Sequence, residues 1–181
     1  MTVRNAVYAA LMPALLLVGC SAPPRQVHHL HNEVSKLNKE LSQLTRQASA
    51  LELQNSLNLH AGQGAWLVPE ASTPVVLQSQ IADLSLLLVS VQADNDNSRI
   101  LLRVHTSASA ALPAFSARVE WGERDSVSGK PLPGSGHIQQ IHVDAGLTSS
   151  RDVTLAVLLE DIQPQQLGYV RVHDIVADKT Q

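Results

Sequence analysis

Residues 84–106 read L-S-L-L-L-V-S-V-Q-A-D-N-D-N-S-R-I-L-L-R-V-H-T. The first run carries leucine and valine on both faces, the pattern of a strand inside a sheet rather than at its margin. Asp94-Asn95-Asp96-Asn97-Ser98 is turn chemistry, because Asn and Asp tolerate left-handed backbone and bond their own main chain. From Arg99 the chain alternates with period two, so the stretch reads as a β-hairpin. Working outward, the same period recurs. Residues 65–68 form a short apolar piece closed by Pro69, and residues 75–82 are ambiguous between strand and short helix. Phe115 to Gly122 alternates F-S-A-R-V-E-W-G. A Pro/Gly loop covers 129–136, and further strands are expected over 137–144, 153–159 and 169–176. About six or seven short strands with tight connections and little helix predict a mainly antiparallel β-sandwich over residues 63–181. An immunoglobulin-like or fibronectin-like topology is the expectation and an open barrel the alternative. Trp121 is either the large core residue of that domain or an edge residue.

Towards the N terminus the hydrophobic period lengthens. Val27, Leu30, Val34, Leu37, Leu41, Leu44, Ala48 and Leu51 alternate in steps of three and four without a slip. This is a heptad, with Val27, Val34, Leu41 and Ala48 at a and Leu30, Leu37, Leu44 and Leu51 at d. The seam weakens at the next a position, Asn55, and His60, Gly62 and Gly64 end the pattern. The architecture is therefore α+β: a coiled-coil helix over 27–60, then the sandwich. At about 1.5 Å per residue such a helix is roughly 50 Å long. Valine at a with leucine at d favours a parallel dimer, and a trimer is the alternative. The e and g positions (Glu33, Asn38, Glu40, Thr45, Gln47, Glu52) offer no opposite-charge pairs, and Ala48 leaves a gap. Self-association, a partner's coil and the chain's own head are thus all candidates to cover the seam. His28 and His31 share a helix face at i and i+3, with His29 beside them. A metal would need further ligands that nothing nearby supplies, so they read as a solvated face.

The first residues explain why a seam of this kind would meet copies of itself in parallel. Residues 1–19 read as a signal peptide: Arg4 in a short leading region, then A-V-Y-A-A-L-M-P-A-L-L-L-V over residues 6–18. That run is shorter than the roughly 20 residues a membrane-spanning helix takes. Leu17-Val18-Gly19-Cys20 resembles the bacterial lipobox. Its chemistry requires cysteine, whose thiol takes the diacylglycerol; cleavage before Cys20 frees an amine for an acyl chain. Two or more lipid signals give stable anchoring to a membrane. The resemblance implies the outer membrane as destination, since Ser21 and not aspartate follows the cysteine. Residues 20–26 then form the lipidated terminus and an extended spacer.

Chemistry beyond the lipid is hard to find. The net charge is −3, so there is no bulk basicity for nucleic acid, and with 44% hydrophobic residues the chain is too apolar to be disordered. Cys20 is the single cysteine, which excludes an intramolecular disulfide and a cysteine-based zinc site. An EF-hand loop starting at Asp94 would need glycine at Arg99 and glutamate at His105, and has neither. Gly129-Lys130 lacks the P-loop spacing, and Gly134-Ser135-Gly136 lacks the nucleophile-elbow spacing. His105, His137, His142 and His173 are dispersed. Glu160-Asp161 reads as a solvated turn.

Two stretches go further. A-L-P-A-F-S-A-R-V-E-W-G-E over 111–123 and Q-L-G-Y-V-R-V-H-D-I over 166–175 resemble segments of the YajI-type lipoproteins of enterobacteria. The order of lipobox, heptad helix, W-L-V-P segment, T-P-V-V-L-Q-S-Q-I and β domain is also similar. The resemblance implies a lipoprotein of undefined role and carries no catalytic residue. The expected function is accordingly a non-enzymatic, periplasm-facing interaction module on a helix, with no cofactor besides the lipid on Cys20. Its expected partners are the membrane, a second copy through the coil, and an envelope protein held at a sheet edge or an aromatic surface of Phe115, Trp121 and Tyr169. A spacer associated with peptidoglycan is the alternative, and an envelope hydrolase or small-ligand carrier ranks behind both.

Overall fold

In the computed structural model the described residues are 24–62 and 64–178, with helical side chains described from Leu30 onward. The signal peptide, Leu17, Val18, Gly19, Cys20 and Ser21 lie outside them. One helix, α1 (Pro24–Leu59), precedes eight strands: β1 (Gly64–Leu67), β2 (Val75–Gln78), β3 (Asp83–Asp94), β4 (Asn97–Thr106), β5 (Phe115–Gly122), β6 (His137–Val143), β7 (Val153–Leu159) and β8 (Tyr169–Ala177). The helix begins at Pro24 rather than Val27, because proline's preset φ suits a first helical turn and its missing N–H is no loss there. The chain divides into two compact units, Met1–Glu40 and Leu41–Gln181. Of the first, only α1 as far as Glu40 is described. The second holds the last turns of α1 together with all eight strands.

The strands form two antiparallel four-stranded sheets, β1-β8-β5-β6 and β2-β3-β4-β7, packed as a sandwich with no closed barrel. The hairpin read first in the sequence is there. β3 and β4 pair from Leu84↔Thr106 to Asp94↔Asn97, and Asn95 takes φ 55° in the two-residue loop. The ambiguous segment after Pro74 becomes the short strand β2, paired with β3. β1 and β2 lie in different sheets, whereas the immunoglobulin arrangement keeps its first two strands together. The sandwich expectation therefore holds with a strand order of its own.

Alternation fills the space between the sheets. Leu84, Leu86, Ile100, Leu102 and Leu159 of one sheet meet Leu67, Phe115, Val119, Val170 and Val172 of the other, all 2% exposed or less. Trp121 joins them, since β5 is an inner strand of its sheet, and its indole Nε1–H donates to the Glu160 carbonyl at 3.2 Å. Two buried hydroxyls bond main chain: Ser98 donates to the Ile162 carbonyl at 2.8 Å and Thr106 to that of Asp83 at 3.1 Å, whereas the buried Ser90 hydroxyl has no partner. Two bulges break the ladders. Val89 is the extra residue between the Leu88 and Ser90 pairings, and Asp174 with Ile175 opposes the single Ala117. Asp174 adopts φ 52°, a left-handed conformation uncommon for a residue other than glycine.

Candidate interaction surfaces

α1 exposes its heptad seam. Leu30, Val34 and Leu37 are 61, 54 and 61% exposed, and Leu41 and Leu44 are 64 and 62% exposed. Ala48 is also exposed, Leu51 is half-buried, and the side chain of Val27 lies outside the described residues. On the polar side Lys36 and Glu40 form an i,i+4 pair at 3.8 Å. No described helix is long and apolar enough to cross a membrane.

The last turns of α1 present a different face to the strands. Ala50 is buried against Val68 and Ala71, with Leu51, Leu53 and Leu57 at the margin of this small second core. Two side-chain amides one helical turn apart then do the work of a missing strand. Asn58 accepts from the Trp66 N–H at 2.9 Å and donates to the Trp66 carbonyl at 2.7 Å. Gln54 accepts from the Val68 N–H at 2.9 Å and donates to the Thr73 carbonyl at 3.0 Å. The outward-facing groups of β1 recur every second residue, about 6.5–7 Å apart. An i,i+4 pair on a helix rises about 6 Å. The two spacings match, so the helix caps an edge that would otherwise invite another chain. A heptad reading passes over this pair because Gln54 lies off the seam and Asn58, at the next d position, is polar and reads only as the seam's end. The available signal was two amides at i,i+4 just before a glycine-rich turn.

The aromatic surface expected of Phe115, Trp121 and Tyr169 does not exist. All three are buried, at 2, 3 and 2% exposure, and they do not share a face. Phe115 and Trp121 point into the core, whereas Tyr169 lies on the opposite side of its sheet against Trp66, with ring centroids 5.1 Å apart. There it belongs to a polar cluster centred on Glu120. The Tyr169 hydroxyl donates to Glu120 Oε1 at 3.3 Å, and Arg171 Nη1 donates to Oε2 at 3.3 Å. The Arg171 guanidinium also sits 5.0 Å from the centre of the Trp66 ring. Burial, then the neighbouring Glu120 carboxylate, push the Tyr169 phenol up to about 12. This cluster locks β1, β5 and β8 together.

His105, His137, His142 and His173 each have partners of their own. His105 Nδ1 lies 2.7 Å from Asp152, His142 Nδ1 lies 2.9 Å from Asp178, and His137 stacks on Trp121 at 5.8 Å. His173 Nδ1 is 3.2 Å from Asp174, its Nε2 3.8 Å from Glu120. Among the described residues no group of three or more His, Cys, Asp or Glu side chains could hold a metal ion. Glu160 and Asp161 form an exposed turn after β7.

The chain thus joins a helix with an exposed leucine seam to a two-sheet sandwich whose β1 edge the helix end covers. Residues 20–181 match the model of a family described as "protein of unknown function (DUF3251)", and the chain belongs to that family. It is 33% identical, over 91% of its length and 92% of the relative's, to the uncharacterized lipoprotein YajI of Escherichia coli strain K12. The solution NMR structure of the E. coli YajI lipoprotein superposes with a TM-score of 0.68 at 32% identity, covering 75% of this chain and 80% of that one. The trimeric lipoprotein SadB of Salmonella enterica shares the fold, with a TM-score of 0.54 at 14% identity over 85% of this chain and 79% of that one.

Proposed function

We propose that this chain is a lipid-anchored envelope protein that assembles with copies of itself through α1 and acts by binding rather than by catalysis. The observation that carries the assembly is the seam. Five large aliphatic side chains on one helical stripe stand more than half exposed in a single chain, and a stripe of that period buries itself against an identical neighbour. Kinship with a lipoprotein supports the anchor at Cys20. Ser21 supports the outer membrane, with the sandwich in the periplasm. Chains anchored in one leaflet run parallel, the arrangement that valine at a with leucine at d favours. The likeness to a trimeric lipoprotein supports three copies, and valine at a with leucine at d supports two.

Two measurements test this reading. Cys20→Ala should abolish incorporation of labelled palmitate and release the protein from membranes. A photo-crosslinking residue at Leu37 or Leu44, introduced in cells, should give self-adducts of dimer or trimer mass. Adducts only to other proteins, or none, would refute assembly.

A further inference from the structure

The exposed stripe of α1 does not stop where its leucines do. The helix continues through Asn55 to Leu59, and each residue turns it by about 100°. Asn55 therefore lies within about 40° of Leu41, Leu44 and Ala48 around the axis. Leu59 falls about 40° from Asn55 on the next turn and is 80% exposed. Asn58, at the nominal d position, turns about 60° the other way, where it bonds Trp66. The last turns thus carry two faces. Ala50, Gln54, Leu57 and Asn58 belong to the sandwich, while Ala48, Glu52, Asn55, Ser56 and Leu59 stand exposed. The Gln54 and Asn58 amides bond the main chain of the strand edge, whereas the Asn55 amide bonds nothing among the described residues.

We propose that Asn55 meets Asn55 of a second copy across the assembled seam and fixes the register of the copies. A carboxamide holds a donor and an acceptor, so it is complementary to itself. Only a parallel partner in register brings the same amide opposite. The apolar part of the seam cannot make that choice. Leu30, Leu37, Leu44 and Leu51 recur one heptad apart, so they fit one another nearly as well after a slip of seven residues. The same slip would set Asn55 against Ala48 and strand its amide, which is unfavourable. A single asparagine at an a position specifies register and oligomer state in coiled coils, at a cost in stability. Leu59, one turn on, shields the amides from water. Register here has a consequence for the sandwiches. The same turns are fastened to the β1 edge through Gln54 and Asn58, so Asn55 sets the level at which neighbouring sandwiches stand.

This inference rests on the assembly through α1 and adds the residue that aligns it. The test uses the full chain in detergent under a mild oxidant. Asn55→Cys should give a disulfide between copies, because facing a positions bring Cα atoms within the about 4.4–6.8 Å that a disulfide takes. The parent chain should give none, nor should Ser49→Cys, which is also exposed but about 120° away around the helix. Asn55→Leu should tighten self-association about tenfold and yield more than one oligomer size in sedimentation velocity, with an unchanged circular dichroism spectrum. Absence of the disulfide at position 55, or equal linkage at position 49, overturns the proposal. So does an Asn55→Leu chain that associates no more tightly and in a single size. If the photo-crosslinks at Leu37 and Leu44 persist in those cases, the alignment fails and the assembly stands. If the parent chain lacks them as well, the assembly has failed and the alignment with it.

Discussion

Removing the Gln54 side chain isolates the contribution of the helix to the sandwich edge. Gln54→Ala deletes the acceptor of the Val68 N–H at 2.9 Å and the donor to the Thr73 carbonyl at 3.0 Å. Gln54 and Val68 are each 2% exposed, so water does not readily replace the amide. A stranded buried N–H costs about 1–3 kcal/mol, and the second hydrogen bond adds about 1 kcal/mol. Relief from ordering a glutamine side chain returns about 1.5–2 kcal/mol. The one lost methylene costs about 0.8 kcal/mol. The net is a destabilisation of about 1–3 kcal/mol, a large share of the stability of an ordinary domain. Gln54→Met keeps the volume but strands the same N–H, and should cost about 1–3 kcal/mol. Urea unfolding followed by the fluorescence of Trp66 and Trp121 measures both. Amide exchange at Val68 and Trp66 should accelerate together, because the two amides of the helix act on one strand edge. A loss below about 0.5 kcal/mol with unchanged exchange at Val68 would mean that the edge does not depend on the helix, and would refute the argument.

Three further outcomes follow from named contacts. The chain has two tyrosines, and Tyr8 lies in the predicted signal peptide, so phenolate absorbance of the mature protein reports Tyr169 alone. Its folded pKa of about 12 stands above the unfolded value of about 10. The stabilisation is therefore complete below pH 10 and lost as pH rises through 12. A midpoint near 10 in the folded protein would contradict the burial beside Glu120, and Glu120→Gln should lower the midpoint. Gly168→Ala would set a Cβ 2.5 Å from the Arg124 backbone nitrogen. It should cost about 1–3 kcal/mol in chemical denaturation, and a neutral result would show that this turn yields. Leu37→Gln with Leu44→Gln should shift sedimentation equilibrium towards monomer, while altering the unfolding of the sandwich by less than about 0.5 kcal/mol; an unchanged oligomer would place the contact elsewhere.

The period of the apolar residues was enough to place most of the elements. Steps of three and four put α1 over the heptad, leucine and valine on both faces marked β3, and twofold alternation located β4, β5, β6, β7 and β8 nearly to the residue. Those signals are local: each depends on side chains that neighbour one another along a single element. The segment after Pro74 stayed ambiguous because four residues carry too little period to separate strand from helix. The expected surface of Phe115, Trp121 and Tyr169 fails because alternation says that neighbours face opposite ways but not which way is inward. β5 is an inner strand, so two of these rings became core, and the Trp66 and Glu120 contacts buried the third.

The sequence by itself determined a lipobox-like start, a helix with an unbroken leucine seam, and an antiparallel β domain without a disulfide. Only the tertiary structure decided that Gln54 and Asn58 close the edge of β1, and that Asp174 and Ile175 bulge opposite Ala117. Each of these joins residues distant in the chain, Gln54 with Val68 and Thr73, Ala117 with Asp174 and Ile175. Such pairings depend on which strands become neighbours, and no local period encodes that choice.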